Sequence, residues 1–170
     1  MTIDELNALD QKGFVAVIGW VFEHSPWVAE RAWNKRPFVT AGALHQAMVE
    51  QVKAASREEQ LGLLRAHPDL GTRTRVSEAS AVEQGGVGLD RLTPEEFEEL
   101  QRLNNNYRDK FGFPFLFAVK GSTKYDILRA LRVRLNSGTE EEYAEALRQV
   151  YRIAGFRIKD SVGVIVHKLS

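Results

Sequence analysis

The chain contains no cysteine. That removes disulfide staples, thiolate zinc sites, iron–sulfur clusters and cysteine nucleophiles from consideration. Long apolar runs are missing as well, since no stretch approaches the ~18 residues needed to cross a bilayer. The start, Met1-Thr2-Ile3-Asp4-Glu5, is acidic where a secretory leader would be basic and then apolar. Nor is there net charge: Lys+Arg and Asp+Glu both number 23, so no basic excess recommends nucleic acid or a membrane surface as partner. The ending His167-Lys168-Leu169-Ser170 falls short of a peroxisomal Ser-Lys-Leu signal. These absences leave a soluble cytoplasmic protein whose ligand is small and met by local charges.

What is present is helical patterning. Apolar residues make up 44% and charged residues 27% of the 170, ordinary values for a globular chain long enough to bury a core as one domain spanning 1–170. Phe14, Val17, Ile18, Val21 and Phe22 recur at helical spacing behind Asp10, an N-cap residue. Ser25-Pro26 predicts a second start, with Ser as cap and Pro at the first helical position, and Arg36-Pro37 predicts its stop. Thr40 opens a segment with the stripe Leu44, Ala47, Met48 and Val52. Ser56 with Glu59, Thr93 with Glu96 and Thr139 with Glu142 have capping-box spacing. Further stripes run Phe97, Leu100, Leu103, Tyr107, Phe111, then Ile127, Leu128, Leu131, Leu135, then Tyr143, Leu147, Val150, Ala154, Ile158. Strand signals are nearly absent; the one β-branched run, Val162–Val166, reads as continuation of the last helix. The expectation is an all-α, single-domain bundle of about eight helices.

Two segments break that pattern. In Arg65-Ala66-His67-Pro68-Asp69-Leu70-Gly71, Pro68 ends a helix and holds His67 at its C-terminus, where the dipole favours imidazolium. Such a His can donate a proton near neutral pH, or simply cap the last carbonyls. After the polar stretch Thr72–Ser80 comes Glu83-Gln84-Gly85-Gly86, where an exposed acid is the default. The second segment is Asn104-Asn105-Asn106-Tyr107-Arg108-Asp109-Lys110-Phe111-Gly112-Phe113-Pro114-Phe115, whose three phenylalanines interleaved with Gly and Pro cannot continue a helix. Its rings either wall an apolar site or plug a helix–helix corner. Arg157 falls on the stripe of Val150 and Ala154, so its guanidinium needs an anionic or carbonyl partner, or else snorkels. The histidines His24, His45, His67 and His167 lack paired metal-ligand spacing.

Taken together and in order, Arg36-Pro37-Phe38, His67-Pro68-Asp69-Leu70-Gly71, Ser80-Ala81-Val82-Glu83-Gln84 with Gly88-Leu89, Leu103-Asn104 through Tyr107 to Phe111-Gly112-Phe113-Pro114-Phe115, and Ile153 to Arg157-Ile158 resemble the OHCU decarboxylase family. The resemblance covers nearly the whole chain. It implies an all-α fold, usually a homodimer, and no metal or organic cofactor. It also implies conversion of 2-oxo-4-hydroxy-4-carboxy-5-ureidoimidazoline (OHCU) to (S)-allantoin and carbon dioxide. Carried onto this sequence, the expected catalytic residues are His67, Glu83 and Arg157. Substrate contacts are expected from Pro68, from Ser80, Ala81, Val82, Glu83 and Gln84, and from the backbone of Phe115, Leu116, Phe117, Ala118 and Val119. Two other readings stay open: a metal-dependent hydrolase ligating through His67, Asp69 and Glu83, and a helical module whose aromatic segment docks a partner.

Overall fold

The computed structural model describes residues 1–71 and 78–169, with side chains described for 1–71 and 79–162. The polar residues 72–77, the side chain of His167 and Ser170 lie outside the described residues. Among the described residues every regular element is helical. They are α1 (Ile3–Asn7), α2 (Gln11–Ile18), α3 (Trp27–Ala32), α4 (Ala41–Lys53), α5 (Arg57–Ala66), α6 (Glu78–Gly85), α7 (Pro94–Phe111), α8 (Lys124–Arg134) and α9 (Thr139–Leu169). Short 3-10 turns at Gly19–Val21 and Trp33–Lys35 extend α2 and α3. The all-α expectation holds. The additions to it are α1, too short to leave a periodic signal, and α6, whose small residues carry no apolar stripe.

The starts follow local chemistry. Asp10 Oδ1 accepts from Gly13 N at 2.8 Å, and Thr40 Oγ1 from Ala43 N at 3.0 Å. Thr93 and Glu96 close a capping box on α7, with Pro94 in the first turn. Gly112 ends that helix at φ 81°, a left-handed conformation that favours glycine. Ser56 and Glu59 exchange the same reciprocal bonds at α5. Two predicted caps come out differently. Pro26 itself flanks α3 with helical dihedrals, and the Ser25 hydroxyl turns back to donate to the Glu23 carbonyl at 2.9 Å. Glu142 is 1% exposed and faces inward, where its carboxylate accepts from Tyr107 and pairs with Arg134. Val162–Val166 continues α9, as read.

The chain packs as two compact units, residues 1–63 with 151–170 and residues 64–150. In the first, α3 packs on α2 and α4, around fully buried Leu6, Phe14, Ile18, Leu44 and Met48. Asn7 clasps the segment after α3: its Nδ2 donates to the Phe38 carbonyl at 2.9 Å, and its Oδ1 accepts from Phe38 N at 2.8 Å. In the second, α7 packs on α8, and the core is aromatic. Tyr107 lies within 4.6–6.0 Å, centroid to centroid, of Phe111, Phe113 and Phe115, and Phe113 is 6.3 Å from Tyr143. Phe113 and Phe115 are 1% and 0% exposed. The Phe-Gly-Phe-Pro-Phe run is therefore the plug of a helix corner, its rings turned into the core.

Candidate active site

His67 follows the last residue of α5. Its N–H donates to the Leu64 carbonyl at 3.3 Å, closing a final tight turn, and Pro68 forbids another. The residue is 7% exposed. The segment after it is fixed on several sides within the second unit. Asp69 Oδ1 meets Arg108 Nη2 at 2.7 Å, Asn104 Nδ2 donates to the Leu70 carbonyl at 2.9 Å, and Gly71 N donates to Gln84 Oε1 at 2.9 Å. Arg65, in the last turn of α5, donates from Nε to the Gly112 carbonyl at 2.9 Å. Gly71 is required: its φ is 77°, and a Cβ there would stand 2.5 Å from Leu100 Cδ2. Burial pushes the Asp69 carboxyl above its usual range, and the neighbouring Arg108 pulls the other way.

Glu83 lies on α6, half-buried, one residue before the Gln84 that bonds Gly71. That bond ties α6 to the segment that leaves His67. Ser80 and Gln84 are buried at 6% and 7% exposed, whereas Ala81 and Val82 turn outward, Val82 at 71%. Pro68 is half-buried. Phe115, Leu116, Ala118 and Val119 are buried and Phe117 half-buried. The Leu116 carbonyl accepts from Arg134 Nη1 at 2.5 Å, and the Ala118 N–H donates to Gln149 Oε1 at 2.9 Å. Two of the backbone groups expected to meet substrate are thus engaged by side chains of the same unit.

Arg157 belongs to the first unit, on α9. It is 4% exposed and does not snorkel. Its Nη1 lies 2.9 Å from Glu23 Oε2 and within 3.4–3.5 Å of the carbonyls of Trp20 and Val21. Glu23, 2% exposed, was not among the site residues expected from the sequence. It stands outside any apolar stripe, and the partner that explains it is 134 residues away. The only available signal was an acidic residue directly after an apolar run.

Among the described residues no group of three or more His, Asp or Glu side chains is placed to hold a metal ion. Of the ligands the hydrolase reading requires, Asp69 is committed to Arg108. The partner-docking reading loses its surface, because the rings it needs exposed are core.

Comparison with known proteins gives a consistent answer. The family model described as OHCU decarboxylase matches residues 7–159. A 2-oxo-4-hydroxy-4-carboxy-5-ureidoimidazoline decarboxylase of Halalkalicoccus jeotgali is 46% identical over 160 residues, covering 94% of this chain and 91% of that one. A uric acid degradation bifunctional protein of Bacillus subtilis is 48% identical over 161 residues, 95% of this chain but 33% of its own length. The crystal structure of an (S)-allantoin synthase superposes with a TM-score of 0.79 at 32% identity, over 95% of this chain and 54% of that one. With a match of this extent, the chain belongs to the OHCU decarboxylase family.

Proposed function

We propose that the protein is a carboxy-lyase that converts OHCU to (S)-allantoin and carbon dioxide in urate degradation, using His67, Glu83 and Arg157 and no metal or organic cofactor. The observation that carries the activity is the 46% identity to a decarboxylase of that name, along nearly its whole length. The family match runs through both compact units, which supports treating 1–170 as one functional domain.

The chemistry asks little of the protein beyond placement. The bond from the ring carbon to the carboxylate breaks heterolytically, carbon dioxide leaves, and the electron pair moves into the adjacent ring C=N. The ring nitrogen takes a proton, giving an enol. The hydroxyl then loses its proton to become a carbonyl, while the ureido-bearing carbon gains one. Which face of that carbon is protonated decides the hand of the product. The substrate's own C=N is the electron sink, the part that cofactors supply in other decarboxylases.

His67 is the proton donor. Its seat at the C-terminal end of α5 supports this, since carbonyls there favour the imidazolium. Glu83 accepts hydrogen bonds from the substrate hydroxyl or ureido nitrogens and keeps the ring in register. Arg157 donates to the ring carbonyl, where charge accumulates as carbon dioxide leaves. A tight grip on the departing carboxylate would instead stabilise the ground state and slow the reaction. Pro68, Ser80 to Gln84 and Phe115 to Val119 shape the substrate's surroundings.

The direct test supplies freshly made OHCU and follows (S)-allantoin by circular dichroism. A dichroic signal of one sign, growing faster than the spontaneous racemic reaction, is expected. Decay at the spontaneous rate with no optical activity would overturn the assignment. We further propose a cytoplasmic homodimer; light scattering on the purified protein should return twice the 19.2 kDa chain mass.

A further inference from the structure

We infer that Glu23 is a positioning residue for Arg157, directing its guanidinium and tempering its charge so that it serves the ring rather than the departing carboxylate. This rests on the role of Arg157 given above.

The seat of Arg157 is built by a short piece of chain. The 3-10 turn Gly19–Val21 brings the carbonyls of Trp20 and Val21 to Nη1, and Glu23, directly beyond it, presents Oε2 to the same nitrogen at 2.9 Å. The guanidinium carbon also stands 5.7 Å from the centre of the Trp20 ring. Glu23 is fixed in turn: the Ser25 hydroxyl holds its carbonyl at 2.9 Å, and His24 follows it at φ 45°, a left-handed conformation rare outside glycine.

Both side chains of the pair are over nine-tenths buried. A buried ion pair is a weak stabilising device, because the cost of desolvating two charges offsets most of their attraction. What it supplies is direction and a balanced field. An unopposed buried guanidinium would attract whichever substrate atom carries most negative charge, and in OHCU that is the carboxylate. Such a grip strengthens binding before the reaction and is lost as carbon dioxide departs, so it raises the barrier. A guanidinium already opposed by Glu23 holds the carboxylate weakly and keeps donors for the ring carbonyl. The pair thus discriminates between two ends of one substrate by charge.

The test is Glu23→Gln, which keeps the shape and one acceptor oxygen while removing the charge. Against OHCU, KM should fall severalfold and kcat should fall by about tenfold, the pattern of a ground state bound too well. Inhibition supplies the charge readout. Allantoate, a stable ureido carboxylate, should inhibit about tenfold more tightly, whereas neutral (S)-allantoin should keep its inhibition constant within about twofold. In an Arg157→Ala background the same substitution should leave allantoate inhibition unchanged. Glu23→Asp retains the charge and shortens its reach, so kcat should fall with allantoate inhibition unaltered; this variant decides the matter if Glu23→Gln does not fold.

An increase of KM in Glu23→Gln, equal weakening of both inhibitors, or wild-type kcat in Glu23→Asp would overturn the inference and leave Glu23 a structural residue. Full activity in Arg157→Ala would overturn it one level down, by removing the role of Arg157. Inertness of the unaltered protein towards OHCU would overturn the activity itself.

Discussion

Gly71 shows how closely the His67 segment is specified. Its left-handed backbone and its contact with Leu100 leave no room for a side chain. Gly71→Ala should cost roughly 1–3 kcal/mol, from strained dihedrals and a displaced leucine, and should lower activity more than stability, because Leu70 and Gly71 anchor the turn that carries His67. Melting curves beside OHCU turnover would separate the two effects. His67→Ala should reduce decarboxylation by about a hundredfold or more, the usual loss for a positioned acid, with the product losing optical purity. An unchanged rate and enantiomeric excess would reject the assignment. Glu83→Gln should weaken catalysis with little change in melting temperature, since Glu83 is only half-buried. His67 was legible in the sequence because proline marks where its helix must stop. Glu23 was not: nothing near it betrays a counter-charge on another helix.

At the scale of elements, local grammar was legible and long-range use of the same residues was not. Thr93-Pro94 with Glu96 announced α7 and delivers it. Thr93→Ala should cost about 1 kcal/mol, a fall in melting temperature of about 3 °C for a chain of this size. Thr139 with Glu142 looks the same on paper, yet Glu142 is drawn into the core by Tyr107 and Arg134. Glu142→Ala should therefore cost several times more than a lost cap, about 3–5 kcal/mol, because it leaves Arg134 buried beside a broken pair. Urea unfolding of the two variants side by side checks the ordering; equal losses would show that Glu142 is only a cap. Burial, seconded by its bond to Glu142, pushes the Tyr107 phenol far above its ordinary range, so Tyr107 stays a donor at any working pH. The aromatic run was ambiguous for a physical reason: Phe beside Gly and Pro predicts an irregular segment without saying which way the rings turn. The Arg134 guanidinium, 4.5 Å from the Phe115 ring and bonded to the Leu116 carbonyl, belongs to the arrangement that turns them inward. The helix α6 was missed because the residues it buries, Ser80 and Gln84, are polar and leave no apolar stripe to read.

Across the whole molecule, acid should act in two directions. Lys124 and the Thr93 backbone hold the Glu96 carboxyl below its usual range, and Arg31 and the Ser56 backbone do the same for Glu59. Groups lowered in this way stabilise the fold above their unfolded value, about 4.3, and that contribution is lost as pH falls through the lower folded value. Asp69, raised by burial, has the opposite sign: protonation on the way down relieves it. Melting temperature should hold through mildly acid pH and drop only below the ordinary carboxylate range, as thermal scans from pH 7 to pH 3 would register. Dialysis against EDTA should leave turnover intact, and recovery of a lost rate by one divalent ion would contradict the cofactor-free reading. The division into two units was not legible, because α5 and α9 run through the boundary without a break in pattern. That boundary has a consequence for synthesis. The first unit takes residues from both sides of the second, so it cannot be finished while the ribosome is still working through the middle of the chain. Glu23 is made early and meets its counter-ion only 134 residues later, on the order of 7–27 s at the usual pace of translation. During that interval an acidic side chain and the apolar faces of α2 to α4 lack the α9 residues that complete their unit. Those faces stay open to solvent until the α9 residues from 151 onward have been made.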